Sequence, residues 1–462
     1  MSTRIDYQQR YYPLSQTRRF LTTNIFRSGM HVAPFQTGII APNMIMDRNA
    51  KRSMSRMDNN EEEEHKGSTS QDGLGQARIA IVDDAVTFEG KRVPLGKSSG
   101  LSVRRILPYY QQRSVGPFVF LDHFRPEKTE GKDRSISTPA AMDVGPHPHI
   151  GLATLSYLYQ GSILHRDSTG AERLIVPKEV NFMISGKGVV HSERGAARDI
   201  KAYIDKQQQG GTPADVSSSI FDKQHGLQFW MALSKGGEDV PPSFHHGEAI
   251  PITVGPSSST ASGMLVVGTI NGISQESIPI DPQLHRVFCA DIKLSKIDDA
   301  FDVIESSLNT FYPSNMLELG LYLVSGSLEF EANSECTGQV GNGRSTRTTT
   351  KDCDQDVNRK TALRIPGTMS VYKMTMPKTD GSKILLGKIK ALAPDTRVAV
   401  FGGSPLQEKR FLKWNFVSTN VDKIEQASRA WSKLDRTKFP PVVNEDNLDS
   451  IPMPRPRSNP KI

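Results

Sequence analysis

From Arg78 onward the chain is a succession of short apolar runs, rich in β-branched and aromatic residues and bounded by Gly, Pro and Asp. RIAIVDD, VTFEG, RVPLG, LSVRRILP and PFVFLDHF come first, followed by GPHPHIGLATLSY, SILHRD, RLIVP and VNFMISG. Such runs at such intervals predict the strands of an all-β sandwich or barrel. A second set repeats the pattern in kind, though not residue by residue: AIPITV, GMLVVGTI, RVFCADIKL, LGLYLVSGSLEFEA, ALRIPG, SVYKM, KILLGKI and RVAVFGG. Two β domains in tandem, 77–250 and 251–434, are the economical reading. A polar, Gly-rich insertion over 332–360 interrupts the second domain and reads as a long surface loop, as does a smaller one, 205–219. One stretch changes period: Val421, Ile424, Ala427 and Trp431 fall at helical spacing behind Asn420, a candidate N-cap, and predict a helix that closes the second domain.

Outside these runs the pattern fades. Residues 1–76 end in an acidic run followed by small polar residues, which cannot build a core and read as a disordered leader. Within it Arg4, Arg10, Arg18, Arg19 and Arg27 stand against Asp6, a composition shared by organelle transit peptides and by leaders without an address. The tail, 435–462, is rich in Pro with scattered basic residues and is expected to be extended and mobile. A hydrophobic content of 36% in 462 residues agrees with some disorder. The net charge of +7 is spread along the chain without an aromatic-interleaved basic block, so no nucleic-acid motif is read from it. Cys289, Cys336 and Cys353 are too few and too scattered for a disulfide framework or a zinc ribbon, and a reducing compartment suits them. No run of 18 apolar residues is present, so no membrane-spanning helix is expected.

The chemistry lies in two pairs. In GPHPHIGLATLSY, His147 and His149 are at i and i+2 of a predicted strand and project to the same face. An isolated His-x-His also suits a surface strand or turn. The second pair, His191 and Glu193 in ISGKGVVHSERG, has the same spacing in the same predicted domain. If the two strands lie close in one barrel, three imidazoles and one carboxylate meet. That set suits a first-row divalent metal with coordination positions left open. Iron(II) is the first choice for mixed imidazole and carboxylate ligation. Manganese, nickel, copper and cobalt fit the same donors, whereas a four-ligand zinc site would be closed and structural.

These residues carry a resemblance. PFVFLDHF (117–124), PHPHIGLATLSYLYQGSILHRDSTG (146–170), ISGKGVVHSE (184–193), HGLQFWMAL (225–233) and GGSPLQEKRFLKWNFVST (402–419) resemble the pirin family of the cupin superfamily. The resemblance implies two tandem cupin barrels of the double-stranded β-helix, jelly-roll type, face to face. It implies one metal, in the N-terminal barrel, with His147, His149, His191 and Glu193 as its ligands. The second half offers His285 as its folded-region histidine. Two departures stand out. Ala153 occupies a position where relatives carry an acid, removing one candidate proton acceptor near the metal, and Lys413 to Phe416 replace a Gly-Pro-Phe.

Further candidates are His123, as a donor or substrate contact at the metal mouth, and His165, orienting a ligand through its other nitrogen. His225 sits beside Phe229 and Trp230, which read as barrel core. His245 and His246 are adjacent, point to opposite faces and do not chelate. The resemblance implies either quercetin 2,3-dioxygenase-like activity on a flavonol-like phenolic, with Glu193 as catalytic proton acceptor, or an iron-dependent, redox-sensing co-regulator that binds a transcription-regulator protein. A structural metal in a storage protein is a third reading. A monomer is expected, in the nucleus and/or cytoplasm, with organelle import as the alternative that the Arg-rich leader raises.

Overall fold

The computed structural model describes residues 78–79, 81–95, 102–125, 142–209, 218–221, 223–252, 260–305, 314–332, 360–377 and 383–454. All of them fall in one compact unit, 72–462. The leader, most of the polar insertion with Cys336 and Cys353, residues 210–217 and the last residues of the tail lie outside the described residues.

The N-terminal barrel is built from two sheets. The larger has seven strands in the order Ser243–Glu248, Glu179–Ile184, Leu152–Gln160, His225–Ala232, Phe118–Phe124, Ser102–Leu107 and Lys91–Pro94. The smaller has four, Asp143–His149, Val189–Arg194, Ile163–Asp167 and Glu172–Ile175. The C-terminal barrel repeats the plan with an eight-stranded and a five-stranded sheet. Its own core is a closed apolar cluster that includes Leu319, Leu321, Phe330 and Val400. The apolar runs of the sequence are these strands, and LGLYLVSGSLEFEA is two of them, Met316–Ser325 and Leu328–Ala332, which turn at Gly326, with φ +74°, and enter the eight-stranded and the five-stranded sheet respectively.

The two barrels share a core. Leu121, Ala153, Leu155, Phe182 and Phe229 of the first pack against Val267, Tyr322 and Phe401 of the second. Alternation along Leu152–Gln160 therefore sends Ala153, Leu155 and Tyr157 to the interface and Thr154 and Ser156 into the first barrel. Histidines enter this interface too. His123 and Tyr322 meet across it, His123 Nδ1 lying 2.7 Å from the Tyr322 hydroxyl. His123 Nε2 lies 2.9 Å from Nε2 of His225.

The chain exchanges segments between barrels at both ends. Strand Ile81–Glu89, read as the start of the first domain, pairs antiparallel with Thr368–Thr375 of the second barrel. In return, the hairpin Phe411–Lys413 and Phe416–Ser418 leaves the second barrel, and Val417 N–H donates to the Ile150 carbonyl at 3.2 Å. The predicted helix forms at Val421–Ser432, with the Asn420 side chain accepting from Asp422 N–H at 2.8 Å. It does not close the second domain. Ile424, Ala427 and Trp431 bury instead against Ile150, Val190 and Phe416, on the outside of the first barrel's small sheet. A second helix, Ala197–Gln209, stands where the smaller insertion was expected to begin as loop.

The expectation of a mobile tail is corrected for 435–454. Phe439 and Val442 bury in the same cluster as the helix. Glu445 accepts from Arg194 Nη2 at 2.7 Å, Arg166 Nη1 at 3.2 Å and Ser192 Oγ at 2.7 Å. Arg194 also pairs with Asp449 at 2.6 Å and Asp143 at 2.8 Å. Ile451 N–H donates to the Pro146 carbonyl at 2.8 Å. This strap braces both histidine-bearing strands from outside, since Pro146 precedes His147 and Ser192 separates His191 from Glu193. Composition weighed the prolines and missed the anchors between them.

Glu445→Ala leaves Arg194 with two of its three carboxylate partners and should cost about 1–3 kcal/mol, read as a lower urea midpoint. An unchanged midpoint would mean that the strap is not docked. A second expectation concerns pH. Burial, the neighbouring Arg397 and Arg125 push His225 down from 6.5 to about 4. Burial, with His225, Arg125 and Arg104 facing it, drives His123 well below its ordinary value. The unfolded chain then binds protons that the folded one refuses, so this stability is complete above pH 6.5 and falls as the pH drops from there toward about 4. The slope is about 1.4 kcal/mol per pH unit for each such group. Urea midpoints of metal-free protein at pH 7, 6 and 5 should decline, and His225→Gln should decline less steeply. Equal slopes for the two proteins would refute the assignment.

Candidate metal centre

Strands Asp143–His149 and Val189–Arg194 are antiparallel neighbours, with His191 opposite His147 and Val189 opposite His149. Parity puts His147, His149 and His191 on the barrel's inner face. One donor nitrogen from each lies within 4.8 Å of the others. Ring centroids are 5.1 Å apart for His147 and His149, 4.3 Å for His147 and His191, and 4.9 Å for His149 and His191. His149 and His191 are 0% and 1% exposed, and His147 is 6%.

The outer nitrogens decide what the inner ones can do. His147 Nδ1 lies 2.9 Å from the Gly145 carbonyl, and His149 Nδ1 lies 3.1 Å from that of Asn415. A carbonyl only accepts, so each Nδ1 carries the proton and each Nε2 a lone pair. His191 Nδ1 faces His165 Nδ1 at 3.5 Å, and His165 Nε2 is 2.9 Å from the Asp167 carboxylate. The proton of His165 therefore sits on Nε2, and His191 too carries its proton on Nδ1. Burial keeps the rings neutral: it drives His149 and His191 well below ordinary imidazole values and His147 down to about 4.

Three neutral rings thus aim lone pairs at one buried point, with Nε2 of His149 and His191 only 3.1 Å apart. Unshared pairs at that distance repel unless a cation lies between them. Two imidazole nitrogens each about 2.1 Å from one ion and nearly at right angles stand about 3 Å apart. The donor set fits a divalent metal.

Glu193 follows on the same strand beyond a register shift between His191 and Glu193. Its Oε1 accepts from Gln228 Nε2 at 2.6 Å, and Ser156 adds a second hydrogen bond. Burial raises the carboxyl above its ordinary value, and the Gln228 bond partly offsets this. The cluster of converging donor atoms comprises the three histidines; Glu193, the fourth expected ligand, is not among them.

The remaining expectations sort by strand face. His165 lies next to the cluster, stacked on Phe244 with centroids 4.4 Å apart. His123 does not reach the metal mouth; it points into the interface between the barrels, as described above. The Ala153 side chain also faces that interface, so an acid there would not be a proton acceptor at the metal. Sequence reasoning missed Gln228, Asp167 and the Asn415 carbonyl. The first two were legible in principle, as polar residues at the inward parity of apolar strands. The third depends on the hairpin returning from the second barrel.

Phe120 and Trp230 stack at 3.9 Å, and the Trp230 ring meets His149 edge to face at 5.1 Å. Beside this planar apolar wall runs a row of polar positions paired across the large sheet: Asn181 with Ser156, Ser156 with Gln228, and Gln228 with Asp122. No helix among the described residues is long and apolar enough to cross a membrane.

Comparison with known proteins agrees with this architecture. The chain matches the pirin family over 100–231 and the pirin C-terminal cupin domain over 357–437. The strap beyond 437 lies past both matched regions. A pirin-like protein of Caulobacter vibrioides is 31% identical over 369 residues, 80% of this chain and 99% of its own length. Mouse pirin is 26% identical over 195 residues, 42% of this chain and 54% of its own length. The crystal structure titled quercetin 2,3-dioxygenase from Acinetobacter baumannii shares the fold, with a TM-score of 0.53 at 21% identity over 82% of this chain and 97% of that one. Two barrels in the same order, and an alignment running through nearly the whole of the bacterial relative, place the chain in the pirin family of cupin proteins.

Proposed function

We propose that the chain is a metal-dependent oxygenase acting on a flavonol-like phenolic, with iron(II) held by His147, His149, His191 and Glu193. The observation that carries the metal is the convergence of three Nε2 lone pairs, 3.1 Å apart at the closest. The substrate class is supported by the quercetin 2,3-dioxygenase named in the similar fold and by the barrel interior. The Phe120–Trp230 wall suits a planar ring system, and the Ser156, Asn181 and Gln228 row offers partners for its hydroxyls. When bound, iron(II) supplies a Lewis acid for a phenolic oxygen and an electron donor toward dioxygen.

The chain's own residues do the rest. The Gly145 and Asn415 carbonyls fix the tautomers of His147 and His149. Gln228 and Ser156 hold the Glu193 carboxyl in place. Off the metal, burial raises the carboxyl above its ordinary value, so a Glu193 that leaves the ion suits removal of a phenolic proton. The near-complete burial of His149 and His191 favours a second reading, a metal-dependent regulator that meets a transcription-regulator protein and turns nothing over.

Protein purified without chelators should carry about one metal per chain, and with iron(II) under air it should bleach quercetin absorbance. The His147→Ala, His191→Ala double variant should lose the metal. Glu193→Gln should lower turnover about 100-fold, the usual scale for a general base. Bound metal without turnover favours the regulator; absence of metal from the wild-type protein refutes both readings.

A further inference from the structure

The strand Ile163–Asp167 pairs with Val189–Arg194 so that Asp167 lies opposite His191 and His165 opposite Glu193. All four side chains share the inner face. Asp167 is wholly buried and its carboxylate is saturated. Oδ1 accepts from Thr169 N–H at 2.8 Å, Thr169 Oγ1 at 2.6 Å and Ala171 N–H at 3.2 Å. Oδ2 is left for His165 Nε2, at 2.9 Å. The His165 ring is held in place by its stack on Phe244 and turns Nδ1 toward Nδ1 of His191, 3.5 Å away.

We propose that Asp167 and His165 are a positioning pair for the metal centre, holding His191 in the one tautomer and ring orientation that presents Nε2 to the ion. This rests on the metal-binding reading above. A carboxylate-backed imidazole is a stronger acceptor than a neutral carbonyl, so the pair also makes His191 the most electron-rich of the three imidazole ligands. The other two imidazoles, His147 and His149, are tied to backbone carbonyls, which no side-chain substitution removes. Among the three imidazoles, His191 alone is held through side chains.

Asp167→Asn is the diagnostic change. Three donors converge on Oδ1, so the amide oxygen must stay there, and the NH2 group then faces His165 Nε2. That donor drives the His165 proton to Nδ1 and opposes the Nδ1–H of His191. The probe is cobalt(II) alone, titrated into metal-free full-length protein against a competing chelator, with the ligand-field spectrum recorded at saturation. Wild-type protein should bind one equivalent. Asp167→Asn and His165→Leu should weaken binding about 10–100-fold and shift the spectrum. His165→Gln, whose amide oxygen can still accept from His191, should recover most of both. Should Asp167→Asn fail to fold, the Leu and Gln variants of His165 decide alone.

Wild-type affinity and spectrum in Asp167→Asn and His165→Leu would overturn the positioning pair and leave the metal site standing. Equal loss in His165→Leu and His165→Gln would overturn it as well, by showing that packing rather than hydrogen bonding matters. Failure of wild-type protein to bind cobalt, or unchanged binding in the His147→Ala, His191→Ala variant, would bring down the metal site and the pair with it.

Discussion

Three neutral imidazoles buried with their lone pairs converging repel one another, and a cation among them relieves that repulsion. That electrostatic constraint organises the first barrel. Each ring is pinned from behind, two by backbone carbonyls and one by His165, so the nitrogens cannot turn away to relieve the repulsion. Burial then removes the other escape, protonation, by driving the rings well below their ordinary range or, for His147, to about 4. The fold thus builds a site that is under-satisfied by itself, which is the physical meaning of a preformed metal centre.

Holding that arrangement requires the rest of the chain. The ligands lie on the four-stranded sheet, the thinner wall of the barrel, whose outer face would otherwise meet water. The C-terminal helix, the returning hairpin and the strap cover that face with Ile424, Trp431, Phe439 and Val442 and tie it with Glu445. The hairpin also delivers the Asn415 carbonyl to His149. The second barrel carries no comparable histidine cluster among the described residues. Its contributions to the first are the shared core and the segment that leaves it to reach the ligands. Exchange of Ile81–Glu89 in the opposite direction makes the two barrels one unit.

Much of this was legible in the sequence because strand parity is a strong local rule. One His–His and one His–Glu pair at i and i+2 were enough to bring His147, His149 and His191 to one face, and the succession of short apolar runs was enough for two β barrels. What parity does not reveal is which side of a two-sided strand is the barrel interior. Ala153 and His123 were assigned to the metal mouth, yet both face the second barrel, an equally apolar environment. Nor does local pattern reveal long-range exchange. The helix at Val421–Ser432 was visible from its period, but its partners, Ile150 and Val190, lie more than two hundred positions away in the chain. The tail looked mobile because its anchors are few and widely spaced.

The three histidines converge to hold one metal through Nε2. X-ray absorption on the metal-loaded protein tests it most directly. The spectrum should show a first shell with three imidazole nitrogens at about 2.1 Å, marked by ring multiple scattering, and the His147→Ala, His191→Ala variant should lose that pattern. A first shell of oxygen atoms alone, or one that the variant leaves unchanged, would contradict it.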